Sequence, residues 1–254
     1  MWIALMIILG YFYVFFLIGT VIKNNSIVDI GWGLGFVVVS WTLFFLEGTY
    51  HTSAIILNVL VSLWGLRLFY HILKRNLFET EDFRYQNWRK AWGKWVIPRA
   101  FVQVYTLQGL FMFVIGLSAY YVNVNNLAFS WWSIIGIVIW LIGYLYEVIG
   151  DAQLKQHLKT KRGTLMTTGL WSTTRHPNYF GDWFMWVGLF VFAMINGGSW
   201  YLILSPIAMG YVFVFISIPL LEERMKHREG WSDYATMTAS FVPWVGGKYE
   251  RRPD

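Results

Sequence analysis

Apolar runs about the length of a bilayer crossing recur along the chain between short polar breaks. They predict helices rather than strands, because each continues for about 20 residues without two-fold alternation. The first run is Trp2 to Ile22, closed by the polar turn Lys23-Asn24-Asn25-Ser26. The second is Ile27 to Leu46, with Asp29 inside its first turn, and the third is Ala54 to Leu73, with Arg67 and, one turn on, His71. Phe101 to Tyr121 and Ser130 to Gly150 make the fourth and fifth, joined by a loop without charge. The sixth, 178–195, and the seventh, Trp200 to Leu221, flank the turn Asn196-Gly197-Gly198-Ser199. The pattern predicts an all-α integral membrane protein of seven transmembrane helices in one domain, residues 1–254, with no linker long enough to divide it. The first run reads as a span rather than a removed signal peptide, since it lacks a basic start and a small-residue cleavage site before Lys23.

Composition agrees with that class. Hydrophobic residues make up 57% of the 254, aromatic residues 20% and charged residues only 13%, against about 25% charged in a soluble domain. The chain has no cysteine, which excludes disulfides, thiolate catalysis and Cys-based metal sites. His51, His71, His157, His176 and His227 have no ligand spacing, so no metal is expected. A net charge of +6 would suit nucleic acid, but its distribution assigns it to membrane orientation instead. Lys23, the Lys74–Arg99 loop, the Lys155–Arg175 loop and the C-terminal tail hold every Lys and Arg except Arg67. Excess basic charge marks cytoplasmic loops, so the N-terminus is expected outside and the C-terminus, with its basic and frayed end, in the cytoplasm.

Candidate chemistry gathers at the same face. The polar stretch from Gly169 to Asp182 runs into an apolar helix, and Pro177, with fixed φ and no N–H, marks that helix's first turn. Arg175 and His176 just before it make a cationic corner where an anionic cofactor group could be held. A basic membrane anchor explains Arg175 and Pro177 equally well, but not Asn178, Tyr179 and Asp182 at the start of hydrocarbon. Glu147, Asp151, Lys155 and Lys159 recur every four residues and line one helix face, either balancing one another or offering carboxylates to a ligand. Arg67 has two readings, a functional intramembrane cation or a partner for Asp29. In the long polar loop, Lys90 and Lys94 suit an interfacial amphipathic connector, while Arg84, Tyr85 and Arg89 could cover a cofactor. The glycines of Gly31-Trp32-Gly33-Leu34-Gly35 lack the preceding strand of a dinucleotide fingerprint and read as close helix contacts.

Gly169-Leu170-Trp171 followed by Arg175-His176-Pro177-Asn178-Tyr179-Phe180-Gly181-Asp182 resembles the signature of the steroid 5α-reductase-like membrane proteins, in particular their bacterial branch. Ser26-Ile27-Val28-Asp29, Leu63-Trp64-Gly65-Leu66-Arg67, Glu81-Asp82-Phe83-Arg84-Tyr85 and Gly150-Asp151-Ala152-Gln153 extend the likeness over nearly the whole chain. The resemblance implies a reductase of the inner membrane that uses NADPH from the cytoplasmic side to deliver hydride to the β-carbon of a lipophilic, steroid- or isoprenoid-like enone. It implies catalytic roles for Asp29, Trp64, Arg67 and Tyr179. For the cofactor it implies Arg84, Tyr85, Glu147, Asp151, Lys155, Arg175, His176, Asn178, Tyr179, Asp182 and Glu223. Asp29 stands where the steroid enzymes have a glutamate, and Trp64 where they have a tyrosine. An indole N–H donates a hydrogen bond but supplies no proton near pH 7, which leaves Tyr70, Tyr85 or Tyr179 as the hydroxyl. The Arg-His-Pro pattern with Glu222-Glu223 beyond it is also similar to membrane methyltransferases of isoprenylcysteine or phospholipid, which makes S-adenosylmethionine the alternative cofactor. A lipid-binding scaffold without cofactor is the third reading. All three take a lipophilic small molecule or membrane lipid as partner, and none takes nucleic acid.

Overall fold

The computed structural model describes residues 1–48, 50–76 and 79–247, which form helices and no strand. The expected basic terminus lies outside the described residues. Helices Trp2–Val21, Ile27–Glu47, Thr52–Asn76, Trp131–Thr160, Pro177–Ile195 and Trp200–Met225 are each long and apolar enough to cross a membrane. A further candidate, Phe83–Ile115 followed by Leu117–Val124, is bent by 62°. The chain is a multi-pass, all-α integral membrane protein. It divides into two compact units, Met1–Ser133 with Ala193–Leu204 and Ile134–Phe192 with Ser205–Asp254.

The first unit holds α1 (Trp2–Val21), α2 (Ile27–Glu47), α3 (Thr52–Asn76), α4 (Phe83–Trp92), α5 (Val96–Ala100), α6 (Leu107–Ile115) and α7 (Leu117–Val124). Glycine lets α2 and α3 meet backbone to backbone: a Cβ on Gly33 would lie 2.6 Å from the Gly65 carbonyl oxygen, and one on Gly65 2.6 Å from that of Gly33. Without hydrocarbon exclusion to drive them together, membrane helices gain from such close van der Waals contact. The same α2 glycine row accepts the Phe15 ring over Gly31 and the Met112 methyl over Gly35, and the Tyr11 hydroxyl donates to the Gly31 carbonyl at 2.7 Å. Two sets of polar groups in this unit bond one another. Asn58 and Asn123 exchange two amide hydrogen bonds of 2.8 and 2.9 Å, and the Ser62 hydroxyl links the Trp41 indole N–H to the Asn58 carbonyl.

The expected straight crossing at 101–121 is interrupted. A π-helical stretch, Phe101–Thr106, leads into α6, and the Thr106 hydroxyl donates to the Phe101 carbonyl five residues back at 2.9 Å. At Gly116 the helix ends, because the Tyr120 ring folds back into the space a Cβ would take and its hydroxyl reaches the Met112 carbonyl at 3.4 Å. An inserted side chain of this kind is a recognised cause of sharp helix kinks.

The second unit comprises α8 (Ile134–Thr160), most of α9 (Pro177–Ile195), then α10 (Leu204–Tyr211), α11 (Ile218–Met225) and α12 (Trp231–Met237). Helix α8 runs ten residues beyond the apolar stretch read from the sequence, carrying Asp151, Lys155 and Lys159 at one-turn spacing along one face. Helices α8 and α9 touch at two glycine pairs: Cβ atoms on Gly136 and Gly143 would each come 2.6 Å from α9 backbone, at Phe192 N and the Gly181 carbonyl oxygen.

Candidate functional site

In the second unit the polar stretch is folded against α8 before α9 begins. The Gln153 side chain accepts from Leu170 N at 3.0 Å, and the Trp171 indole N–H donates to the Gly150 carbonyl at 3.0 Å. Gly169, at φ +64, turns where Gln153 fills the space of a side chain. The returning C-terminal segment clamps the other side. Arg175 N donates to the Ala239 carbonyl at 2.8 Å, the Thr174 hydroxyl donates to the Phe241 carbonyl at 2.9 Å, and the Tyr234 hydroxyl donates to the Trp171 carbonyl at 2.7 Å. Helix α9 then starts at Pro177, as its ring predicts.

This clamp determines what the cationic corner can do. Arg175 Nε binds Glu222 Oε1 at 2.8 Å, and its Nη1 donates to the Ala235 and Thr238 carbonyls. His176 Nε2 meets the same Glu222 oxygen at 3.1 Å, and its ring, 2% exposed as a residue, stacks on Tyr179, which stacks in turn on Phe213. Arg175 and His176 are therefore fixed by a carboxylate and backbone carbonyls, not presented as open anion ligands. The acid that does this is Glu222. Glu223, the expected cofactor residue, points outward and pairs with Lys226.

Other expected residues of this unit do come together. Asn178 Nδ2 donates to Asp151 Oδ1 at 3.2 Å, joining the first turn of α9 to α8. Glu147 and Asp182 are buried carboxyls on the same two helices, and a Cβ on Gly181, next to Asp182, would lie 2.5 Å from Glu147 N. Lys155, Lys159, Lys161 and Arg162 are exposed, and among the described residues they form no ion pair. Four free cations leading toward the Asp151–Asn178 pair form a donor set that fits a polyanionic cofactor with hydroxyl or amide groups.

The first unit carries a separate, half-buried charge cluster around Asp29, in the first turn of α2. Arg84 Nη2 binds Asp29 Oδ2 at 2.9 Å, and the Tyr85 hydroxyl donates to Oδ1 at 2.8 Å. Asp29 thus finds its counter-charge on α4, where the sequence offered Arg67 as one choice. Gln108 stands 3.4 Å from the Tyr85 hydroxyl, and Asp82 holds Arg84 Nε at 2.9 Å while capping α4 through Arg84 N. Helix α4 is pinned by a second stitch: Glu81 takes the Arg89 fork at 2.8 and 2.9 Å and the Asn25 N–H at 2.8 Å, and Asp82 N donates to the Ser26 hydroxyl. Burial alone would raise the Glu81 carboxyl, but these bonds and the Arg89 charge hold it below the usual carboxylate range.

Trp64 is a buried packing residue whose ring stands edge-on to Phe36 at 5.3 Å, and Arg67 lies half-buried three residues on. Of the three tyrosines that could supply a hydroxyl, Tyr85 is the one on Asp29, Tyr70 is exposed, and Tyr179 is stacked in the second unit. Gln108 is a site residue with no signal in the sequence, whereas Glu81 and Glu222 stand in quoted motifs without having been given a role at the site.

The chain is thus an all-helical membrane protein with a half-buried Asp–Tyr–Arg cluster in one unit and a clamped Arg-His-Pro helix start in the other. The chain belongs to the family described as Protein of unknown function (DUF1295), which it matches over residues 15–240. It is similar to the fission yeast Schizosaccharomyces pombe "Uncharacterized protein C594.04c", with 23% identity over 89% of this chain and 75% of that one. It is also similar to Delta(14)-sterol reductase ERG24 of Saccharomyces cerevisiae, 26% identical over 52% of this chain and 33% of that protein. With Delta(14)-sterol reductase erg24 of Schizosaccharomyces pombe the identity is 37% over 37% of this chain and 23% of that protein. The chain thus spans a third or less of the length of the two reductases. No solved structure matches it.

Proposed function

We propose that the chain is a membrane reductase that uses NADPH to saturate an electron-poor double bond of a lipophilic, enone-type substrate. The observation that carries this reading is the Tyr85 hydroxyl on Asp29 Oδ1 at 2.8 Å, beside the Arg84 guanidinium. Its context is the likeness to two sterol reductases. When bound, the dinucleotide supplies the hydride for the β-carbon. The chain must then meet negative charge growing on the substrate oxygen, and preorganised donors in a dry site do this best. The proton shared between the Tyr85 hydroxyl and the Asp29 carboxylate can pass to that oxygen, leaving a second negative charge on the pair that Arg84 offsets. Trp64 and Phe36 keep α2 and α3 packed below the acid, so Trp64 acts as a wall.

For the cofactor we assign phosphate recognition to Lys155, Lys159, Lys161 and Arg162. Hydrogen bonding to its ribose or amide groups falls to Asp151 and Asn178, with Glu147 and Asp182 behind them. Arg175, His176 and Tyr179 position the start of α9 through Glu222 and ring stacking. The basic loops support a cytoplasmic location for this set, with the N-terminus outside and seven crossings, the bent helix counted as one. Purified protein in detergent tests the reading. At a hundredfold excess over its dissociation constant, NADPH should raise the unfolding temperature by about 5–10 °C, and lipid enones should then accelerate its oxidation. Stabilisation by S-adenosylmethionine and not by NADPH would replace the reductase with a methyltransferase.

A further inference from the structure

Cations on the first part of the bent helix, which follows the third crossing and starts at Phe83, fall into two groups. Arg84 and Arg89 turn inward onto Asp29, Asp82 and Glu81. Lys90, Lys94 and Arg99 turn outward, are exposed, and form no ion pair among the described residues. Large apolar side chains are exposed among them: Trp88 at 42%, Trp95 at 58% and Ile97 at 52%. Gly93, at φ +49, breaks α4 between the two lysines, so the Trp95–Ile97 edge follows directly on the second. Tryptophan beside lysine or arginine suits the headgroup layer, where the ring sits among glycerol and acyl carbons and the cation meets phosphate.

We propose that this segment is a binding site for an anionic phospholipid, with the headgroup phosphate on Lys90, Lys94 and Arg99 and the upper acyl carbons against Trp95 and Ile97. The occupant is a lipid and not a soluble anion because half of the patch is apolar and it leads directly into the apolar part of a candidate membrane crossing. The other free basic run, Lys155 to Arg162, contains no aromatic residue and serves as its internal contrast. The site is independent of the reductase reading, since it lies on other side chains and is measured without turnover.

The experiment is a competition between phosphatidylglycerol and phosphatidylcholine for the full chain in mixed micelles, with bound lipid counted by native mass spectrometry. Each cation near a lipid surface favours the anionic headgroup about fivefold, so three give a preference on the order of a hundredfold. That preference should fall to near parity in Lys90→Gln/Lys94→Gln/Arg99→Gln and persist in Lys159→Gln/Lys161→Gln, and millimolar inorganic phosphate should not abolish it. Equal binding of the two lipids by the unaltered chain would overturn the site. So would an equal loss in the two variants, which would assign the selectivity to net charge, and so would displacement by inorganic phosphate.

Discussion

Replacing Tyr85 with phenylalanine removes one oxygen from a buried residue that is 3% exposed and leaves Asp29 Oδ1 without the 2.8 Å donor it has now. A hydrogen bond to a charged acceptor contributes about 1.5–3 kcal/mol, and the buried position leaves no easy route for water to replace it. The expected cost to stability is about 2 kcal/mol, which for a chain of this length lowers the unfolding temperature by about 4–8 °C. If Tyr85 also transmits the proton, turnover should fall by about 10²–10⁴-fold at a temperature where the variant is still folded. Asp29→Asn removes the counter-charge of Arg84 and the proton's other holder, so the double variant should lose little more activity than the worse single one. Single-turnover oxidation of NADPH with a saturating lipid enone, recorded beside the melting curve of each variant, separates the two effects. A Tyr85→Phe variant that loses the predicted stability but turns over within about threefold of the unaltered chain would refute the catalytic role and leave the hydroxyl a clasp between α2 and α4.

The Glu81 stitch is acid-sensitive. A carboxyl whose native value is depressed stabilises above its unfolded value of about 4.3 and ceases to as pH falls through the lower one, so limited proteolysis within 83–99 should rise below about pH 4, with a weaker pH response in Glu81→Gln. Arg175→Lys keeps the charge but loses the fork shared by Glu222, Ala235 and Thr238; it should cost about 3 kcal/mol by thermal unfolding, while Glu223→Gln leaves the melting curve unchanged, and an unchanged melting curve for Arg175→Lys would show that the clamp is dispensable. Gly33→Ala forces a Cβ to 2.6 Å from the Gly65 oxygen and should destabilise by about 1–3 kcal/mol, whereas Gly10→Ala, with nothing within 4 Å, should keep or raise the melting temperature.

Features set within a turn or two of chain were legible in the residues. Pro177 has one comfortable place in a helix and α9 begins there, and the four-residue spacing from Glu147 to Lys159 requires one helix face and lies on α8. The glycines of α2 likewise read correctly as contact points, since a residue that weakens a helix and binds nothing has little other use in hydrocarbon. What the sequence could not show was which distant charge answers which. Asp29 lies 55 residues from Arg84, and Arg175 lies 47 from Glu222. Over such separations, neighbouring acids are equivalent until packing chooses between them: Glu222 and Glu223 differ by about 100° around a helix, which is enough to send one onto Arg175 and His176 and the other into solvent beside Lys226. The bend at Gly116 was hidden for a similar reason, because the glycine permits it but the Tyr120 ring, four residues on, causes it. An arginine beside a helix start therefore has two uses, gripping an anion or anchoring its own loop. The counter-charge distinguishes them, and here Arg175 lies on Glu222 while Asn178, three residues on, reaches Asp151.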